Sequence, residues 1–203
     1  MCPAAHHTDS VIIKGIDLRH TLLATALISA VTLVHAAGFQ LSSPDIKAGS
    51  TIDKKFEFNG FGCSGENKSP ALKWSGAPSG TKAFAVTVYD PDAPTGSGWW
   101  HWSVINLPAD VTELRPDAGA VGGANLPKGA SHVRIDYGVA GWGGACPPQG
   151  DKPHRYIFTV HALKTDKLEI PADATAALAG FMINANALGK ASFTAKYGRP
   201  KAK

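Results

Sequence analysis

The chain has 203 residues, which sets an expectation of one domain with a core large enough to hold itself together. Its 22 Gly and 14 Pro call for many tight turns, which favours β structure over a helical bundle. The formal net charge is +4, but Lys and Arg are scattered and form no stripe, so nucleic acid is excluded as a partner.

In chain order, the first segment reads as an address. Lys14, Arg19 and His20 precede an apolar run from Leu22 to Val34, too short to span a bilayer comfortably. The run ends in Val34-His35-Ala36, which suits signal peptidase, so cleavage is expected after Ala36. A membrane-anchored N-terminus is the alternative. Cys2 has no lipobox context. The expected organisation is residues 1–36 as signal peptide with an upstream extension, and 37–203 as one domain. The location is then periplasmic or secreted, with no stable membrane anchor after cleavage. Cys63 and Cys146 remain, and an even pair in an exported chain suggests a disulfide. Such a bridge would close a long loop and stabilise by about 4 to 5 kcal/mol in the chain-entropy model. A metal site is the rival reading of the pair, weakened by the lack of a CxxC or HxxxH partner.

Phe39-Gln40-Leu41 is an extended start, followed by a turn at Ser42-Ser43-Pro44. Lys54 to Phe58 alternates polar and aromatic residues, as a half-buried strand does. Residues 59–70 are rich in Gly, Asn and Ser and read as a loop. A short strand, Ala71–Trp74, leads to a turn at 76–80. Ala83–Tyr89 is dense in apolar and β-branched residues and reads as a central strand. Asp90-Pro91-Asp92-Ala93-Pro94 ends it, because neither proline can donate to a ladder. Thr95–Gly98 is a loop and Trp102–Asn106 a strand. Residues 108–130 have no period and form a long irregular connection. Tyr156–Leu163 is a strand. From Pro171 the pattern turns helical, with Leu178, Phe181, Met182, Ala185 and Leu188 on one stripe. Asp173 is the expected N-cap and Gly189 the expected stop. Phe181 and Met182 are assigned to the core rather than to a ligand. Ala191–Tyr197 closes with a last strand.

Three segments set polar groups beside apolar strands. Asp90 and Asp92 sit two apart at a proline-stiffened strand end. His101 lies among Trp99, Trp100 and Trp102, just before a strand. The turn Gly143-Gly144-Ala145-Cys146-Pro147-Pro148 leads to His154-Arg155-Tyr156. Taken singly, each has a structural reading: a side-chain-bonded turn, a hydrogen-bonded histidine, and tryptophans of core and rim.

Together, DPDAP, GSGWWHW and GGACPPQGDKPHRY resemble the phosphatidylethanolamine-binding (Raf-kinase-inhibitor-like) family, in its bacterial exported branch, over Phe39 to Tyr197. The resemblance implies a mostly-β fold: a large antiparallel sheet packed on a smaller sheet, with a few peripheral helices. It also implies a small pocket for anions such as phosphate, phosphoryl head groups or acetate. On matching positions the ligand-binding residues are Asp90, Asp92, His101, His154 and Tyr156, with Gly144, Pro147 and Pro148 as a wall. Cys146 departs from the many members without cysteine there, and is read as the disulfide anchor to Cys63. Carboxylates repel anions, so Asp90 and Asp92 are expected to orient His101 and His154 and to favour their protonated forms. Arg155 alternates with its neighbours, so it should face the other side and pair structurally.

The expected function is a non-enzymatic binding protein, without cofactor or metal, whose partners are a small anion or phosphorylated ligand and a protein it modulates. A homodimer is among the expected assemblies. The alternatives are an inhibitor of a kinase or protease acting by contact, and a hydrolase using the His/Asp pair. The last is disfavoured because no nucleophile elbow and no GxxxxGK[ST] loop is present.

Overall fold

The computed structural model describes residues 38–201. The expected signal peptide and upstream extension lie outside the described residues. The strands, in chain order, are β1 (Gln40–Ser42), β2 (Asn59–Gly60), β3 (Cys63–Ser64), β4 (Leu72–Ser75), β5 (Ala83–Asp90), β6 (Trp99–Pro108), β7 (Glu113–Leu114), β8 (Ser131–His132), β9 (His154–Leu163) and β10 (Ala187–Tyr197). One α-helix, α1 (Ala176–Asn186), precedes the last strand.

The large sheet has five strands in the order β10-β9-β5-β6-β8, all antiparallel. A smaller sheet, β1-β4-β7, packs against one of its faces. Leu72, Trp74 and Leu114 from the small sheet meet Val86, Val88, Phe158 and Val160 from the large one. The other face is covered at one end by α1, where Ala179 and Ile183 pack on Ala83, Ala85, Ile105 and Leu163. The central strand β5 is therefore buried on both faces. That is why its sequence is a continuous apolar run rather than an alternation. This is the expected fold class, with one α-helix at the periphery among the described residues.

Several local expectations are corrected. Lys54–Phe56 is a 3-10 turn and not a strand, because the Asp53 carboxylate accepts from the Lys55 amide and caps it. Phe56 and Glu57 are both buried, so the apparent alternation was not that of a strand. The 59–70 loop contains the small hairpin β2-β3. Strand β6 begins at Trp99, so His101 lies within the strand and not ahead of it. Helix α1 is capped by Thr175, whose side chain accepts from Leu178 N, and it stops at Asn186, so neither Asp173 nor Gly189 bounds it. Its inward face is Ala176, Ala179, Gly180 and Ile183. Phe181 is 72% exposed and Leu178 43%, against the expectation that this stripe is core. The small inward residues let the helix lie close: a Cβ on Gly180 would come within 3.2 Å of the Trp100 ring.

Cys63 and Cys146 are joined as a disulfide across 83 positions of sequence. Their sulfurs are bonded to one another, which removes them as metal ligands. The bridge fastens β3 to the Gly144–Pro148 turn.

Candidate ligand-binding pocket

Antiparallel pairing of β5, β6 and β9 gathers the three polar segments at one end of the three central strands of the large sheet. There they line a cavity of about 180 Å³. Its floor is polar. Asp90 ends β5, where Pro91 stops the ladder, and is 2% exposed. One carboxylate oxygen accepts from the Asp92 amide at 2.8 Å. The other accepts from Nδ1 of His154, the first residue of β9, at 2.7 Å. Nε2 of His154 lies 3.5 Å from the Asp151 carboxylate, so this buried imidazole stands between two acids.

His101 Nδ1 faces the Gly143 carbonyl at 2.7 Å and that of Gly144 at 3.2 Å. A carbonyl only accepts, so Nδ1 carries the proton and Nε2 is the nitrogen without a protein partner among the described residues. Burial pushes the His101 pKa down, and the two carbonyls only partly oppose it. The ring is therefore a neutral imidazole with a free lone pair, which corrects the expectation of a protonated His101. Desolvation outweighs the nearby Asp90 charge.

Tyr156 lies two residues after His154 on the same strand face, its ring edge-on to His101 at 5.0 Å. Its hydroxyl is buried and has no protein partner among the described residues. Burial, with Asp90 beside it, keeps the phenol protonated. The Gly-rich turn forms one wall: Cys146, Pro147 and Pro148 line the cavity, and Ala93, Pro94 and Thr95 face it.

Two expected site residues stand elsewhere. Asp92 does not line the cavity. It points outward and holds Arg155 in a fork, with Nε and Nη2 donating at 2.9 and 2.7 Å and the Arg155 amide at 2.9 Å. That hydrogen bonding holds the Asp92 carboxyl down at about 2. Asp92 therefore orients no histidine, and Arg155 has the structural partner it was expected to have. Gly144 lies behind the wall. Its amide donates to Asn67 Oδ1 at 2.8 Å and its carbonyl accepts from Tyr137 Oη at 3.0 Å. A Cβ there would come within 2.2 Å of the Phe56 carbonyl, so only glycine fits.

Three aromatic lining residues were absent from the sequence-based set: Phe61, Trp99 and Tyr137. Tyr137 stacks on Phe58 at 4.1 Å and meets Trp99 edge-on at 5.3 Å. Phe61 has one sequence signal, an aromatic between two glycines at a hairpin tip. Tyr137 has only its place six residues ahead of the Gly143–Pro148 turn. Among the described residues, no Lys or Arg lines the cavity.

Residues 42–198 match the family model described as phosphatidylethanolamine-binding protein. YbcL of Escherichia coli (strain K12) is 54% identical over 178 residues, covering 87% of this chain and 97% of its own. YbhB of the same organism is 47% identical over 158 residues, covering 78% and 99%. A protein of Mycobacterium tuberculosis named putative lipoprotein LppC is 34% identical over 151 residues, covering 74% and 68%. The crystal structure of E. coli YbcL, described as a new member of the mammalian PEBP family, superimposes with a TM-score of 0.78. It is 57% identical in sequence, and the match covers 80% of this chain and 99% of that one.

Proposed function

The chain belongs to the phosphatidylethanolamine-binding protein family, and from that premise we propose that it is a non-enzymatic, exported binding protein for a small oxyanion group, phosphoryl or carboxyl. One observation carries the reading: the buried Asp90–His154 pair at 2.7 Å stands in one cavity with the unpaired Nε2 of His101. An acceptor-rich floor without Lys or Arg repels a bare dianion. It suits an oxyanion that keeps one proton. Such a group donates its O–H to Asp90 or to His101 Nε2 and accepts from the Tyr156 hydroxyl, while His154 holds Asp90 in place.

Two lining groups of nucleophilic type are already engaged. Cys146 is in the disulfide, and the Thr95 hydroxyl donates to the Gly98 carbonyl at 2.5 Å. That supports binding over turnover by a cysteine or threonine nucleophile. Export is supported by the apolar run before Ala36, by the disulfide and by the name of the mycobacterial relative.

Calorimetric titration with inorganic phosphate and phosphoethanolamine at pH 6 and pH 8 tests the reading. Uptake of the monoanion makes phosphoethanolamine bind at least about tenfold more weakly at pH 8 than at pH 6, because the second ionisation of a phosphate monoester lies near 6. His101→Ala is expected to abolish it. Equal binding at the two pH values, or none at either, would sink the protonated-oxyanion pocket.

A further inference from the structure

The lip of the pocket is built differently from its floor. Polar atoms cluster at Asp90, His101, His154 and Tyr156, whereas the approach is walled by Phe61, Trp99 and Tyr137. Phe61 is 74% exposed, although Phe56, Phe84, Phe158 and Phe193 are all buried in the core. Its backbone is left-handed, at φ +52°, a conformation that a bulky side chain rarely adopts. A strained, exposed aromatic persists only where its surroundings hold it.

Here they do so from several sides. Two residues on, Cys63 is bonded to Cys146 of the Gly-rich turn that also lines the cavity. Arg199 donates to the Gly62 carbonyl and, at 3.3 Å, to that of Pro147, tying the hairpin tip to the same wall. The Phe61 ring sits 5.6 Å from Phe58 and is stacked 5.8 Å from Tyr137, which Trp99 meets edge-on. The chain thus spends a disulfide, an arginine and an unfavourable backbone on keeping one phenyl ring at the mouth of a small cavity. Pro147 and Pro148, which have no N–H to donate, line the same cavity. The cavity, about 180 Å³, is larger than a single four-oxygen group fills.

We propose that this lip is a second subsite that selects what the oxyanion is attached to: a flat aromatic body, as in an aryl phosphate monoester or an aromatic carboxylic acid, held against the Phe61 ring and the apolar lining of the mouth. The inference rests on the oxyanion reading of the floor and adds the ligand's other end. Ring stacking and the apolar area covered favour such a ligand over phosphoethanolamine, whose ammonium group gains nothing from the prolines.

The test is competitive calorimetry at pH 6 with four probes: inorganic phosphate, phosphoethanolamine, phenyl phosphate and benzoate. Phenyl phosphate is expected to bind at least about tenfold more tightly than either of the first two, as one stacked ring with its buried area supplies. Benzoate against phenyl phosphate reports which oxyanion the floor takes. Phe61→Ala should erase the phenyl advantage by weakening phenyl phosphate at least about tenfold more than inorganic phosphate, with an unchanged urea midpoint certifying the fold. Phe61→Tyr should retain the advantage. Phenyl phosphate no tighter than phosphoethanolamine, with phosphate still bound, overturns the lip subsite and leaves the floor standing. Equal loss of all probes in Phe61→Ala also overturns it. No binding of any probe removes the floor reading and the lip with it.

Discussion

Asp90 and Asp92 lie two residues apart and do unrelated work. Asp90 ends a buried strand and turns into the cavity toward His154, whereas Asp92 lies beyond Pro91 and grips Arg155 at the surface. Local composition is the same, and the end of the ladder separates them. A second histidine shows how burial decides charge. His161 is buried on the α1 side of the large sheet, with Nε2 3.2 Å from the Thr87 hydroxyl and Nδ1 without a partner. Desolvation, with Lys190 nearby, lowers its pKa to about 4. The unfolded chain takes up this proton near pH 6.5 and the folded chain does not until about pH 4, so stability is lost as pH falls through that window. The shift corresponds to about 3 kcal/mol at most. Urea unfolding from pH 7 to pH 4 is expected to show this slope, and His161→Gln to flatten it. Parallel profiles for the two proteins would refute the assignment.

At the scale of elements, the β2-β3 hairpin is too short to define its own position. Each strand has two residues, and the Cys63–Cys146 bridge fixes the hairpin across 83 positions. Closing a loop of that length stabilises the fold by about 4 to 5 kcal/mol in the chain-entropy model. A Cys63→Ser/Cys146→Ser double variant should lose about that amount in urea. It should also lose the preference for phenyl phosphate while keeping some affinity for inorganic phosphate. An unchanged urea midpoint would mean that the hairpin is held by other contacts. Helix α1 makes a related point. It docks through Ala179, Gly180 and Ile183 because small residues allow close approach to Trp100, and its larger side chains are left outside.

Across the whole molecule, one sheet carries both the core and the pocket. Strand β9 supplies His154 and Tyr156 at its start, then Phe158 and Val160 to the core, so the site is anchored in well-packed structure. Phe158 is fully buried and stacks on Phe193 with ring centres 4.8 Å apart. Phe158→Ala should cost about 3 to 5 kcal/mol, read by urea unfolding, through lost transfer energy and a cavity that a two-sided sheet cannot collapse. A loss below about 1 kcal/mol would show that the layers repack more freely than this arrangement implies.

Strands β5 and β9 were legible in the sequence because β-branched and apolar runs bounded by prolines and turns are local signals. The DPDAP stop, the pairing of two cysteines, and Asp90, His101, His154 and Tyr156 were legible through motif order. What only the tertiary structure decided depends on contacts distant in sequence. Pairing across strands placed His101 inside β6, and burial left it neutral. The end of β5 turned Asp92 away from the cavity. Close approach to Trp100 reversed the face that α1 presents. Phe61 and Tyr137, 76 positions apart, became neighbours at the pocket mouth through a disulfide and a ring stack. Periodicity and turn chemistry are written along the chain. Which face is covered, and which distant ring closes a cavity, is set by packing.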